Sequence, residues 1–149
     1  MLDISIKTFN QLSLDELYSL LQLRSEVFVV EQNCVYQDVD GKDQKALHII
    51  GKKDNIIIAY TRVFKPGDYF KEACIGRVVV AEKWRHLKYG HQLMVASIKA
   101  VETSFSKKNI KVSAQEYLEK FYNNLGFIKS GESYLEDGIP HIAMIKNLF

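Results

Sequence analysis

Apolar and polar residues alternate at the start of the chain, where Ile4, Ile6 and Thr8 stand against Ser5 and Lys7. A period of two predicts a strand over residues 3–9. The period then changes: Leu17, Leu20, Leu21 and Phe28 recur as one face of a helix. Ser13-Leu14-Asp15-Glu16 in front of them reads as a capping box, with Ser13 at the N-cap and Glu16 at N3. Leu12 and Leu17 occupy the two positions of a hydrophobic staple. The next stretch, VVEQNCVYQDVDGKDQKA, is polar and acidic with no clear period. It predicts a short helix or a loop crossing the surface.

Strand periodicity returns in ALHIIGKKDNIIIAYTRVFK, which predicts a hairpin with strands over 46–52 and 56–65. PGD at 66–68 is a turn signal. ACIGRVVVA, residues 73–81, is the most continuously apolar segment, the mark of a buried central strand. Met94, Ile98, Val101 and Phe105 are spaced for a helix over 88–105 that packs on a sheet. NIKVSAQ predicts a strand at about 109–114, and EYLEKFYNNLGF a short helix over 116–125 with Leu118, Phe121 and Leu125 on one face. Gly126 then stands at C′, and Phe127 can pack back over the last turn. Two strands, 127–133 and 141–147, finish the chain on either side of LEDGIP. The order β-α-(loop)-β-β-β-α-β-α-β-β describes an α/β (α+β) fold, a mixed and mostly antiparallel sheet flanked by helices. The crossover from 73–81 through 88–105 to 109–114 is expected to be parallel and right-handed. With 149 residues, no repeats and no linker, one domain over 1–149 is expected.

Composition narrows the function classes. Hydrophobic residues make up 47%, enough for a sizeable core. The net charge of +2 is spread over interspersed acids and bases, so no nucleic-acid partner is expected. No apolar run reaches bilayer length and MLDISIKTFN lacks the pattern of a signal peptide, so no membrane partner is expected and the location reads as cytoplasmic. Cys34 and Cys74 lack metal-ligand spacing and read as reduced thiols. Asp38, Asp40 and Asp43 lack the spacing of a calcium loop, so no metal is expected. They read as a solvated acidic loop or, with Glu31, as an attractor for a cationic ligand, a role Glu136 and Asp137 could share.

The candidate chemistry centres on RHLKYGHQLM, residues 85–94, a basic turn between the apolar strand and the helix. A helix N-terminus offers free N–H groups and partial positive charge, a ready site for a pyrophosphate. Neither GxGxxG nor GxxxxGK[ST] occurs, so the dinucleotide and P-loop readings lose support. Gly90 serves either tight helix–strand packing or close approach to the anion. Tyr122, one position off the apolar face, leans toward its edge. The C-terminal ends of strands 73–81 and 109–114 would frame a crevice.

These residues carry a resemblance. VVVAEKWRHLKYGHQLM resembles the acetyl-CoA motif of the GNAT (GCN5-related) N-acetyltransferases, and FYNNLGF resembles their second motif. LYSLLQLRSEVFVVEQNCVYQDVDG and YLEDGIPHIAM are similar to the ElaA-type branch, so the likeness spans nearly the whole chain. The family pattern Arg/Gln-x-x-Gly-x-Gly/Ala reads here with Lys88 in place of the first glycine, a trait of the branch. The resemblance implies a GNAT-like acyl-CoA N-acyltransferase fold and direct transfer of acetyl from acetyl-CoA to a primary amine within a ternary complex. The acceptor would be a small molecule or a protein amine, and a homodimer is compatible. It implies cofactor contacts from Val78, Val79, Val80, Arg85, His86, Leu87, Lys88, Tyr89, Gly90, His91, Gln115 and Tyr122, with Arg85 and Lys88 adding charge at the pyrophosphate. Tyr122 would be the general acid for the departing thiolate. Glu31, His48 and His141 are the candidates for general base, each histidine having a structural role as its alternative. Tyr36 and Tyr134 would line the acceptor pocket, Trp84 would pack beneath the basic turn, and neither cysteine would be a nucleophile. The alternative reading is a non-catalytic acyl-CoA-binding regulatory module.

Overall fold

The computed structural model describes residues 1–106 and 109–148. Seven strands form one sheet: β1 (Asp3–Thr8), β2 (Leu47–Lys53), β3 (Ile56–Phe64), β4 (Ala73–Val80), β5 (Ile110–Gln115), β6 (Ile128–Glu136) and β7 (Ile139–Lys146). Their order across the sheet is β1-β2-β3-β4-β5-β7-β6. Every neighbouring pair is antiparallel except β4 and β5, which are joined by the expected parallel crossover through α2 (Tyr89–Ser104).

The sheet has apolar residues on both faces because alternate residues of its central strands point opposite ways. Ile49, Val63 and Ile75 pack with Leu93, Met94, Ile98 and Val101 of α2. Ile50, Tyr60 and Val79 pack with Leu20 and Leu23 of α1 (Leu14–Arg24) and with Val27. Residues 3–9, 13 onward, 46–65 and 73–81 thus form the elements their periods predict. No helix among the described residues is long and apolar enough to cross a membrane.

The start of α1 follows the sequence reading closely. Glu16 N–H donates to Ser13 Oγ at 3.0 Å, and Ser13 N–H donates to Glu16 Oε1 at 2.9 Å. Lys7 Nζ from β1 reaches the same carboxylate at 2.7 Å and Lys52 Nζ at 3.3 Å. Lys7 above all, then the Ser13 backbone and Lys52, hold the Glu16 carboxyl at about 2, below its ordinary 4.5. A carboxyl lowered on folding contributes stability in full above about pH 4.5, and that contribution is lost as the pH falls through about 2. Unfolding curves of the wild type and Glu16→Gln should therefore differ at pH 7 and converge toward pH 2. A gap that stays constant with pH would reject this linkage.

Three elements depart from the expectation. The first helix does not run uniformly to Phe28 but changes to π winding over Ser25–Glu31. The helix expected over 116–125 is a 3-10 turn (Glu116–Leu118) followed by a short α3 (Glu119–Asn123). The final connection is shorter than LEDGIP suggests: β6 and β7 extend until only Asp137 and Gly138 separate them. Both adopt positive φ, 52° and 77°, as a tight hairpin turn requires.

The acidic segment also differs from its reading as solvated loop or substrate attractor. Asp38 and Asp43 are buried, and Asp40 is half-buried. Arg24 is fully buried and donates through Nε to Asp38 Oδ2 and through Nη1 to Asp43 Oδ1, both at 2.8 Å. Arg62 Nη1 donates to Asp40 and Asp43 at 2.9 and 3.0 Å. Arg77 Nε lies 2.7 Å from Asp38 Oδ1, a close ion pair whose N–H is not aimed at the oxygen. Three arginines neutralise three aspartates, so the segment presents no free carboxylate cluster. The arginines hold the Asp40 and Asp43 carboxyls below the usual carboxylate range against the opposing effect of burial.

Candidate functional site

Strands β4 and β5 begin as a parallel pair at Ala73–Ile110 and Cys74–Lys111 and pair no further. A bulge in β4 helps to separate them. Tyr60 faces Val79 and Arg62 faces Gly76, so Arg77 and Val78 together oppose the single residue Thr61. Arg77 adopts φ +51°, a conformation costly for a side chain with a Cβ and typical of a bulge. The parted strands open a cleft of about 1070 Å³. Val78, Val79 and Val80 line one side, and Ser113 and Gln115 the other.

The basic turn lies at one end of this cleft. Residues 82–84 form a 3-10 turn, and α2 starts at Tyr89 without a side-chain cap. His86 and Lys88 adopt φ +71° and +61°. That conformation suits glycine and costs a lysine roughly 1–2 kcal/mol. The family pattern's glycine at position 88 thus has a backbone reason, and Lys88 keeps the turn while adding a cation. No acceptor among the described residues takes the N–H groups of His86 through His91. Six consecutive free donors at a helix start form a nest for an anion. The N–H of Arg85, the residue before them, instead donates to Glu82 O at 3.3 Å. Gly90 is not demanded by packing, since a Cβ there would meet Phe121 at an ordinary 3.7 Å.

The Arg85 side chain is also committed within the protein. Its Nε donates to Val80 O at 3.0 Å, and its two terminal nitrogens grip Glu31 at 2.6 and 2.9 Å. Arg85 therefore braces the turn against the π segment instead of standing free for a pyrophosphate. Glu31, with both oxygens held, leaves the list of free bases. His48 leaves it as well. It is fully buried outside the cleft, its Nε2–H donating to Asp43 O at 2.9 Å and its Nδ1 accepting from Tyr60 at 2.6 Å. Burial lowers its proton affinity, so it remains neutral.

Tyr122 is placed in the cleft by the end of α3. Phe127 N–H donates to Tyr122 O at 3.1 Å and Gly126 N–H to Asn123 O at 3.0 Å, with Gly126 at φ +92°. This is a Schellman cap, and it confirms Gly126 at C′. The Tyr122 ring packs edge-on against Phe121 and Phe127, with centroids 5.1 and 5.9 Å away. Only 5% of the residue is exposed. Burial pushes its phenol well above the usual value of 10, so it is a protonated donor at neutral pH.

His141 lies farther along the cleft on β7, opposite Gln115 of β5. Its Nδ1–H donates to Ile139 O at 2.7 Å, and its Nε2 has no hydrogen-bond partner among the described residues but lies 3.5 Å from Glu136 Oε2. Cys34, Tyr36, Glu136 and Asp137 are nearby lining residues. Cys34 Sγ donates to Asp137 O at 3.3 Å and ties the hairpin tip to the segment after the π winding. Tyr134 stacks on His141 but does not line the cleft. Trp84 packs partly against the main core and borders the cleft. Cys74 is buried, with its thiol pushed up to about 12, and stays protonated.

The sequence reading missed Phe28, Ser113, Tyr117 and Asn124 as lining residues. Ser113 was accessible to it, because a strand that aims Gln115 into the cleft aims residue 113 there too. Asn124 lies inside the quoted motif FYNNLGF, two residues after Tyr122, whereas Phe28 faces the cleft through the unpredicted π winding.

The sequence that builds this cleft is matched by a family model. The model described as "Acetyltransferase (GNAT) domain" matches residues 10–148. The chain belongs to the GNAT acetyltransferase family. It is 45% identical to the protein ElaA of Escherichia coli over 141 residues, 93% of this chain and 92% of that one. The crystal structure of Escherichia coli ElaA superposes with a TM-score of 0.93 at 42% identity, covering 99% of this chain and 100% of ElaA. An acyl-CoA N-acyltransferase from Pseudomonas aeruginosa gives the same TM-score and identity, covering 98% and 99%. The mixed sheet with flanking helices is therefore the GNAT acyl-CoA N-acyltransferase fold, and this chain is an ElaA-like member of the family.

Proposed function

We propose that this GNAT protein moves an acetyl group from acetyl-CoA to a primary amine by direct attack in a ternary complex. The reading rests chiefly on one observation: the N–H nest of His86–His91 and the buried Tyr122 share a cleft opened by the parting of β4 and β5. Pyrophosphate oxygens would accept from the nest, with Lys88 supplying a charge-assisted contact. The pantetheine arm would pair with the free edge of Val78–Val80 as an added strand. An N–H of that edge would polarise the thioester carbonyl. Tyr122 would protonate the departing thiolate. Of the three base candidates, His141 alone keeps on the cleft a nitrogen with no hydrogen-bond partner among the described residues, and it would take the proton from the amine. Arg85 and Glu31 would act as a brace, and Gln115 would border the acyl group.

Thermal unfolding with acetyl-CoA, CoA, NADH and ATP tests the binding half. Acetyl-CoA at a hundredfold excess over its dissociation constant should stabilise by about 2.7 kcal/mol, a rise of roughly 10 °C, and NADH should give no rise. Release of free CoA thiol with an amine panel tests the chemistry. Stabilisation without thiol release would favour a non-catalytic acyl-CoA-binding module, and no stabilisation by either CoA species would reject both readings.

A further inference from the structure

His141 is buried, with 7% of the residue exposed, whereas the Glu136 side chain is half in solvent. The two meet across the β6–β7 hairpin, His141 Nε2 lying 3.5 Å from Glu136 Oε2. Glu136 is held in its turn. Ser113 Oγ donates to Glu136 Oε1 at 3.2 Å and also contacts the Tyr134 hydroxyl. The Tyr134 ring lies on the His141 imidazole, with centroids 6.2 Å apart and planes at 24°. Ser113, Tyr134, Glu136 and His141 thus form one connected group drawn from β5, β6 and β7, on the side of the cleft away from Tyr122's helix.

We infer that Glu136 is a positioning residue for His141, and that the pair forms the outlet through which the acceptor's proton leaves the cleft. The inference builds on the proposed acetyl transfer. Primary amines arrive mainly as ammonium at neutral pH and must lose a proton before attacking. That proton would pass to the Nε2 lone pair. The resulting imidazolium keeps its Nδ1–H on Ile139 O and lies beside the Glu136 carboxylate, 3.5 Å from Nε2, close enough for charge attraction, with the proton passing onward through water. Attack then forms the C–N bond and breaks the C–S bond. Tyr122 gives its proton to the thiolate, and the proton shed by the nitrogen as the amide forms restores the phenol through water. The net products are amide, CoA thiol and one proton, which reaches solvent from the exposed side of Glu136. The local charge favours this route. The nearby Arg62 and Arg77 are offset by Asp38, Asp40 and Asp43, so Glu136 and Asp137 are the carboxylates left to receive a cation.

A double-mutant cycle tests the pairing. Glu136→Gln should lower kcat about tenfold with an unchanged KM for acetyl-CoA, and Glu136→Asp should recover part of the loss. His141→Gln should lower kcat about a hundredfold or more. In the His141→Gln background, Glu136→Gln should cost nothing further, because its effect acts through the imidazole. Multiplying losses would overturn the inference and make Glu136 an independent contact, most directly if the KM for the amine rises. Full activity of His141→Gln would instead overturn the role of His141 as base and remove this inference with it. A wild type that acetylates no amine would overturn the proposed reaction itself.

Discussion

Replacing Tyr122 by phenylalanine should lower kcat by about 100- to 10,000-fold and leave acetyl-CoA affinity within about twofold. Proton transfer by a positioned side chain contributes rate enhancements of that size. The substitution removes only the hydroxyl. The ring contacts with Phe121 and Phe127 persist, as does the Schellman cap that orients the residue, because its hydrogen bonds are all main-chain. No described residue hydrogen-bonds to the phenol in a way that shifts its proton affinity, so the fold should lose less than about 1 kcal/mol. Steady-state kinetics with separate binding titration reads the two effects independently. Equal loss of affinity and turnover would remove Tyr122 from the acid role.

The largest stability effect is expected at Arg24. Arg24→Met should destabilise the protein by about 3–5 kcal/mol, since it leaves Asp38 and Asp43 buried without their principal partner. For a chain of this length that is roughly 10–20 °C in Tm. The effect should reach the cleft too, because the segment those aspartates anchor carries Cys34 and Tyr36 into it. Replacing the whole cluster by apolar residues of similar volume should cost much less than the single change, as buried ion pairs balance attraction against desolvation. Denaturant unfolding measures both. A loss below about 1 kcal/mol for Arg24→Met would mean that water reaches the cluster and screens it.

The same cluster marks the boundary of what the sequence reveals. The Ser13–Glu16 cap, the β2–β3 hairpin and Gly126 at C′ were legible because each is set by residues within a few positions of one another. Arg24 meets Asp38 and Asp43 across 14 and 19 positions, and Arg77 meets Asp38 across 39. No local period encodes such a pairing, so the aspartates read as solvated. The basic turn before α2 was legible through its motif, yet Arg85's partner Glu31 lies 54 positions away. That distance is why a side chain read as a phosphate contact turned out to be a brace. The tight β6–β7 turn was a different kind of omission. Asp137-Gly138 is a strong local hairpin signal, and the strand pairing runs on through Leu135 and Pro140 up to that turn.

Beyond Cys74 and Lys111, the facing edges of β4 and β5 are sheet edges that lie inside the molecule. An outer edge strand recruits any extended polypeptide and is a familiar route to aggregation. Here the π segment, the basic turn and the hairpin tip wall the edges in. Walled in this way, the two inner edges are kept from pairing edge-on with strands of other chains, as a covered sheet edge is.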